Sequence, residues 1–149
     1  MSDSYLRYVP TIPTFQTQKS SAKAAEGLLG SYFPNADSIA AGFLENVEFI
    51  DAGSNWSGVH CPLCGADVED WWSEVMATAA EARFEDLKVS APCCKGSTSL
   101  NLLRYVWPVA FGRFVLEAEN PNSKGLTPRQ LRALEEVLGC KLQEVATHV

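Results

Sequence analysis

The sequence predicts an α+β fold: a mostly antiparallel sheet with about three helices and an inserted cysteine knuckle. Three observations predict it. Strand-like alternation recurs in segments that follow one another along the chain, interrupted by three helical stripes, which is the pattern of an antiparallel sheet rather than of repeated βαβ units. A chain of 149 residues, 46% hydrophobic and 20% charged, suits one globular domain over residues 1–149. Finally, Cys61-Pro-Leu-Cys64-Gly has the spacing of a metal-binding turn. No stretch approaches the ~18 apolar residues of a membrane span, and the start MSDSYLRYVP shows neither an apolar core nor a cleavage site, so a cytoplasmic location is expected.

Taken in order, residues 1–17 carry Pro10 and Pro13, which favour extended backbone, and read as an arm lying on the domain. Ala22, Ala25, Leu28, Leu29 and Tyr32 form a helical stripe over residues 19–32, stopped by Phe33-Pro34-Asn35. Residues 36–44 favour no element. Residues 45–51 and 56–60 read as two strands joined by the polar turn Ala52-Gly53-Ser54-Asn55. Val68, Trp71, Trp72, Val75, Met76, Ala79 and Ala80 then repeat at helical spacing, with Asp67 placed to cap the start. Leu87, Val89 and Ala91 alternate with polar neighbours as in a half-buried strand, and residues 100–106 read as another. Phe114, Leu116 and Ala118 alternate in a third. Thr127, Pro128 and Gln130 form a capping box with proline at the first helical position, Leu126 can staple onto Leu131, and Gly139 supplies the left-handed stop, so residues 128–138 are helical. A short strand over residues 142–149, pairing inside the sheet, closes the chain.

Five cysteines without an export signal point to a reducing compartment, where Cys-x-x-Cys followed by a second cluster reads as a metal site before a disulfide framework. A redox pair would need its first cysteine at a helix N-terminus. Here the helix starts after Cys64, near Asp67. Between Cys64 and Cys93 lie a helix of ~16 residues, about 24 Å long, and about 23 Å of extended chain. If the strand runs back along the helix, the two clusters meet.

The second cluster, Ala91-Pro92-Cys93-Cys94-Lys95-Gly96, has Ala91 where the first thiolate should stand and Cys94 as the second. Adjacent residues of an extended chain point to opposite faces, so Cys93 can replace the missing ligand only across a sharp turn. Three arrangements stay open: Zn2+ on Cys61, Cys64, Cys93 and Cys94; three of these with His60 or another group; or no metal, with the thiols packed as small hydrophobes. A full set of four would make the site closed and structural. With that set His60 is expected beside the metal ligands rather than among them, and Cys140 is expected in the core.

Charge is unevenly distributed. Residues 1–30 hold three basic and two acidic groups, residues 31–90 two and eleven, and residues 91–149 seven and five, giving -6 in total. Asp67, Glu69, Asp70, Glu74 and Glu81 lie around the second helix and offer a surface to a basic protein partner. Nucleic acid is an unlikely partner for an acidic chain, although Arg104, Arg113, Lys124, Arg129 and Arg132, with Tyr105 and Trp107, could form a modest basic face. His60 and His148 are poorly placed as general bases, and Asp51 and Asn101 read as turn formers, so no catalytic constellation is expected.

The features from Phe49-Ile-Asp-Ala-Gly through Cys61-Pro-Leu-Cys-Gly, Trp71-Trp72, Pro92-Cys-Cys and Thr98-Ser-Leu-Asn to Trp107-Pro-Val, Phe111 and Leu138-Gly-Cys resemble a group of uncharacterised small bacterial proteins. Some of those carry a transporter-ATPase label. This chain has no Gly-x-x-x-x-Gly-Lys-Ser/Thr loop, so the label does not extend to it. The knuckle itself resembles zinc ribbons, with residues 56–96 as the ribbon-like segment. The resemblance implies a bacterial origin and no activity. The expected function is a zinc-binding protein-interaction domain of immunity or accessory type, with a nucleic-acid-associated ribbon protein and an enzyme of unknown reaction as alternatives.

Overall fold

The computed structural model describes residues 2–149. Eight strands and three helices follow one another: β1 (Ser4–Pro10), α1 (Lys19–Tyr32), β2 (Ser38–Ile50), β3 (Val59–His60), α2 (Glu69–Glu81), β4 (Lys88–Ser90), β5 (Ser97–Ser99), β6 (Arg104–Tyr105), β7 (Ala110–Glu119), α3 (Pro128–Leu138) and β8 (Leu142–His148). The expected α+β class is observed. Four strands form one antiparallel sheet in the order β2-β7-β1-β8, and two short ribbons, β3-β6 and β4-β5, stand apart from it.

No two neighbours in the main sheet are consecutive in sequence. The proline-bearing opening is extended as expected, but as β1 it is an inner strand between β7 and β8 rather than an arm on the surface. Its alternation explains this, because Leu6 and Tyr8 point into the core and Val9 packs on the other side. The ambiguous residues 38–44 belong to β2, where Gly42 lies opposite Val115. Pairing shifts between Phe43 and Glu48, and the Gln16 amide donates to both the Leu44 and Arg113 carbonyls at 2.9 Å, satisfying backbone that the irregularity leaves unpaired.

The expected hairpin over residues 45–60 does not form. Gly53 adopts φ +60 and lies so close to β8 that a β-carbon there would collide with the His148 carbonyl. Residues 52–55 therefore run along β8. The Ser54 amide donates to the His148 carbonyl and the His148 amide to the Ala52 carbonyl, and the Asn55 side-chain amide and Trp107 indole both donate to the Ala146 carbonyl. This covers an edge that would otherwise expose unpaired backbone. The C-terminal strand is thus a covered edge, not an inner strand.

Helices α1 and α3 cover one face of the sheet. Ala22, Ala25, Leu29, Leu134 and Leu138 meet Leu6, Tyr8, Phe114, Leu116 and Ala118 in a closed core. The capping box of α3 is present in full, with Pro128 at the first turn and Gly139 in the left-handed region at φ 78. A second apolar cluster lies beyond the far ends of β2 and β7. There Val47, Phe49 and Phe111 pack with Trp56, Trp72, Met76, Leu100 and Tyr105. Among the described residues no helix is long and apolar enough to cross a membrane.

Candidate metal centre

Two turns of the same form build the site. In the first, Cys61 leaves β3, its amide donates to the Ala66 carbonyl at 2.9 Å, and the Gly65 amide returns to the Cys61 carbonyl at 2.9 Å. In the second, at the tip of the β4-β5 ribbon, the Ala91 amide donates to the Gly96 carbonyl at 2.8 Å and the Lys95 amide to the Ala91 carbonyl at 2.7 Å. Position by position, Ala91 occupies the place of Cys61, Cys94 that of Cys64, and Cys93 that of Leu63. Lys95, at φ 59, takes the left-handed place that Gly65 holds at φ 78.

The chain between the turns does reverse as its length suggested. Helix α2 has 13 residues, about 20 Å. Arg83 and Phe84 then adopt consecutive positive φ values of 58 and 54, with the Phe84 amide bonded to the Ala79 carbonyl at 2.8 Å. Strand β4 consequently returns along the helix. Asp67 does not cap α2 in the expected way: Val68 is the cap residue, and the Asp67 carboxylate accepts from the Glu69 amide at 3.0 Å. Residues 100–106, expected as one strand, form a 3₁₀ turn followed by the two-residue β6. The Trp72 indole donates to the Tyr105 hydroxyl at 3.2 Å, and that hydroxyl donates to the Leu100 carbonyl at 2.7 Å, fastening this irregular segment to α2.

The Sγ atoms of Cys61, Cys64, Cys93 and Cys94 all lie within 4.8 Å of one another. Two pairs cross between the turns, Cys61 with Cys94 at 3.9 Å and Cys64 with Cys93 at 3.5 Å. The edge of a tetrahedron of sulfurs at about 2.3 Å from a central ion is about 3.8 Å. Such a set can hold a metal ion. All four are free thiols, at separations far above the ~2.05 Å of a disulfide. Cys61 is fully buried, whereas Cys64, Cys93 and Cys94 face solvent.

The sharp turn that Cys93 requires is supplied by the Cys94 amide, bonded to the Ala91 carbonyl at 3.3 Å. The turns approach closely because Leu63 lies over Gly96, where a β-carbon would meet its side chain. The Gly96 role is one that sequence reasoning missed.

The four thiols are unequal. The Cys64 amide, followed by the Leu63 amide and the Cys93 and Cys64 thiols, donates toward the Cys61 sulfur and lowers its pKa to about 7 against the cost of burial. Desolvation, then hydrogen bonding to the Cys64 and Cys61 sulfurs, pushes Cys93 up to about 12. At Cys94 the Gly96 amide favours the thiolate, but desolvation and the Cys61 and Cys64 sulfurs outweigh it and the pKa rises. A divalent cation bound among the sulfurs would displace the protons that Cys93 and Cys94 retain.

Other candidate residues are more scattered. His60 is half-buried in β3, paired with Arg104 and bridged to Asp67 through the backbone. Cys140 packs against the α1-α3 core, apart from the cluster. Asp67, Glu69, Asp70, Glu74 and Glu81 are all exposed, and among the described residues none of them is in a salt bridge. Of the basic residues, Arg104 is on β6, Arg113 is half-buried on β7, Lys124 is in the loop before α3, and Arg129 and Arg132 are on α3. His148 accepts or donates at 3.0 Å to the Ser4 hydroxyl through Nδ1. Asp51 accepts from the Gly53 amide at 2.8 Å, the turn-forming role expected of it. No family model, curated protein or solved structure matches the chain, so the functional reading rests on these four thiols and their surroundings.

Proposed function

We propose that this is a zinc protein without catalytic activity, whose Cys61, Cys64, Cys93 and Cys94 hold a structural Zn2+ and whose acidic α2 surface receives a basic protein partner. The carrying observation is the set of four sulfurs within 4.8 Å, with crossing pairs at 3.5 and 3.9 Å. Soft thiolate donors in fourfold arrangement favour zinc over hard cations, and four protein ligands leave no open position for substrate. Four thiols, five counting Cys140, suit a reducing, cytoplasmic setting. The exposed acids from Asp67 to Glu81, with no salt bridge among the described residues, support the partner assignment, because a field of one sign without opposite charges steers and selects an oppositely charged surface.

Metal analysis of protein purified without added zinc tests the centre. One zinc per chain is expected, and its loss in Cys94→Ser; a metal-free parent chain overturns the reading. For the surface, a basic partner recovered by the parent should be lost when Glu69, Asp70 and Glu74 are changed to Lys together. Recovery that disappears with nuclease treatment instead would indicate nucleic acid.

A further inference from the structure

We infer that the cysteine cluster is also a site of oxidative modification, at which a hydroperoxide exchanges the metal for two disulfides crossing between the turns, Cys64 with Cys93 and Cys61 with Cys94. The inference rests on the metal reading above and adds to it the chemistry that empties the site. Its basis is an asymmetry of access and pairing. Cys64 and Cys93 are both exposed and their sulfurs are 3.5 Å apart, while the second crossing pair at 3.9 Å contains the fully buried Cys61. In each pair the sulfurs come from different turns: the Cys64 thiol donates to the Cys93 sulfur, and either thiol of the Cys61–Cys94 pair can donate to the other. A bond within the second turn would have to join neighbours, Cys93 and Cys94, across one planar peptide.

The step balances. A thiolate of Cys64 or Cys93 attacks the peroxide, the O–O bond breaks, water or an alcohol leaves, and the sulfur becomes a sulfenic acid. The partner thiolate attacks that sulfur, the S–O bond breaks, and hydroxide leaves to be protonated as water. Two sulfurs are oxidised by two electrons in total and one peroxide is reduced. Losing two thiolate ligands weakens the ion's hold, and a second equivalent oxidises Cys61 and Cys94 as the metal departs. Because each disulfide joins one turn to the other, the turns stay together without the ion.

The full chain places the readout conveniently. Cys61 and Cys64 share the tryptic peptide 24–83, whereas Cys93 and Cys94 lie in 89–95. Metal content is measured first, then hydrogen peroxide is added stepwise with a zinc indicator present, and the product is alkylated and digested. The expected result is one zinc released for about two equivalents of peroxide, a fall from five thiols to one, and joined peptides 24–83 and 89–95. Cys64→Ser and Cys93→Ser should each still join the two peptides, through Cys61 and Cys94. Metal retained after peroxide, unlinked peptides, a Cys61–Cys64 disulfide, or sulfinic acid as the main product overturns the exchange. A chain that carries no metal before oxidation overturns the metal reading itself and is seen before peroxide is added.

Discussion

The sheet with α1 and α3, and the lobe around the cysteine turns, hold their backbones in different ways. Strands of the sheet run 7 to 13 residues and surround fully buried Tyr8, Leu29, Phe114 and Leu134. Strands of the cysteine lobe run two or three residues, and of its helix α2 only Met76 among the described residues is buried, and not completely. Its aromatic groups pack well, Trp56 stacking on Trp72 at 4.8 Å between centroids, yet both remain partly exposed. The lobe has its own buried cluster, with Val59, Val68 and Ala91 fully enclosed, but its ladders are short and offer little backbone pairing against the ordering entropy of the chain. A metal cross-link would add to that, and the four thiols are where the two turns meet.

The largest effect that tests this contrast is removal of the proposed ion. Structural zinc contributes about 10–16 kcal/mol in small zinc-dependent units. Chelation should therefore unfold the cysteine lobe and leave the sheet standing. In hydrogen exchange, amides of β3, β4 and β5 should lose protection while those of β1 and β7 keep it. Emission from Trp56, Trp71 and Trp72 should shift to the red. Uniform loss of protection across both regions would show that they are one cooperative unit.

The converse break is Phe114→Ala. Phe114 is fully buried and meets Phe43 edge to face at 5.1 Å. Its truncation should cost about 3–5 kcal/mol of global stability, read as a lower denaturant midpoint. The fraction that remains folded should still carry a full complement of metal. Metal lost in parallel with stability would mean that the sheet, and not the ion, orders the turns.

Acidity should affect the two regions differently. Cys93 at about 12 and Cys94, also raised, are protonated at neutral pH without metal, while Cys61 at about 7 is partly so. Binding the ion expels these protons, so protons compete with it. Below pH 7 the three thiols Cys61, Cys93 and Cys94 each release a proton on binding, so metal affinity should fall by about a thousandfold for each pH unit, measured by competition with a chelator, with the exchange protection of β1 and β7 unchanged over the same range. A flat profile would indicate ligands other than thiols.

The same contrast governs how much of the molecule was legible in its sequence. Local signals were read correctly wherever they are self-sufficient: the stripe of α1, the capping box and Gly139 of α3, the alternation of β7. Pairing was not legible, because β1 reaches its partners β7 and β8 across more than a hundred residues and nothing in Tyr5 to Val9 names them. The turn at residues 52–55 misled for a physical reason. Asp51 and Gly53 do make a turn, but the chain leaving it covers β8 instead of pairing with β2. Of the metal centre, the four residues and the departure at Ala91 were visible. What remained hidden was that Lys95 would adopt the left-handed conformation of Gly65 and that the turn would bring the Cys93 sulfur within 3.5 Å of Cys64.

A smaller change confined to the sheet side is Thr127→Ala. It removes the 3.2 Å bond from the Gln130 amide to the Thr127 hydroxyl and with it one half of the capping box. The expected cost is about 1 kcal/mol, seen as a modest shift in thermal midpoint with metal affinity unaltered. A change in metal affinity would reveal coupling between α3 and the cysteine lobe.

The smallest expected effect carries the sharpest information about the site. If Ala91 stands where Cys61 stands and Cys93 where Leu63 stands, then Ala91→Cys combined with Cys93→Leu restores two equal turns, each presenting its first and fourth positions. Ala91 is fully buried, as Cys61 is, and the bonds from its amide to the Gly96 carbonyl and from the Lys95 amide to its carbonyl already shape the backbone around it. The double variant should therefore bind one ion with affinity within about tenfold of the parent, whereas Cys93→Leu alone should lose most of it. Oxidation would then separate the two ligand sets, because the new pairings place two first-position thiols, Cys61 and the introduced cysteine, in the buried half of the site. Slower release by peroxide with metal affinity preserved would show that the natural placement at Cys93 matters for exposing a ligand to oxidant rather than for holding the ion.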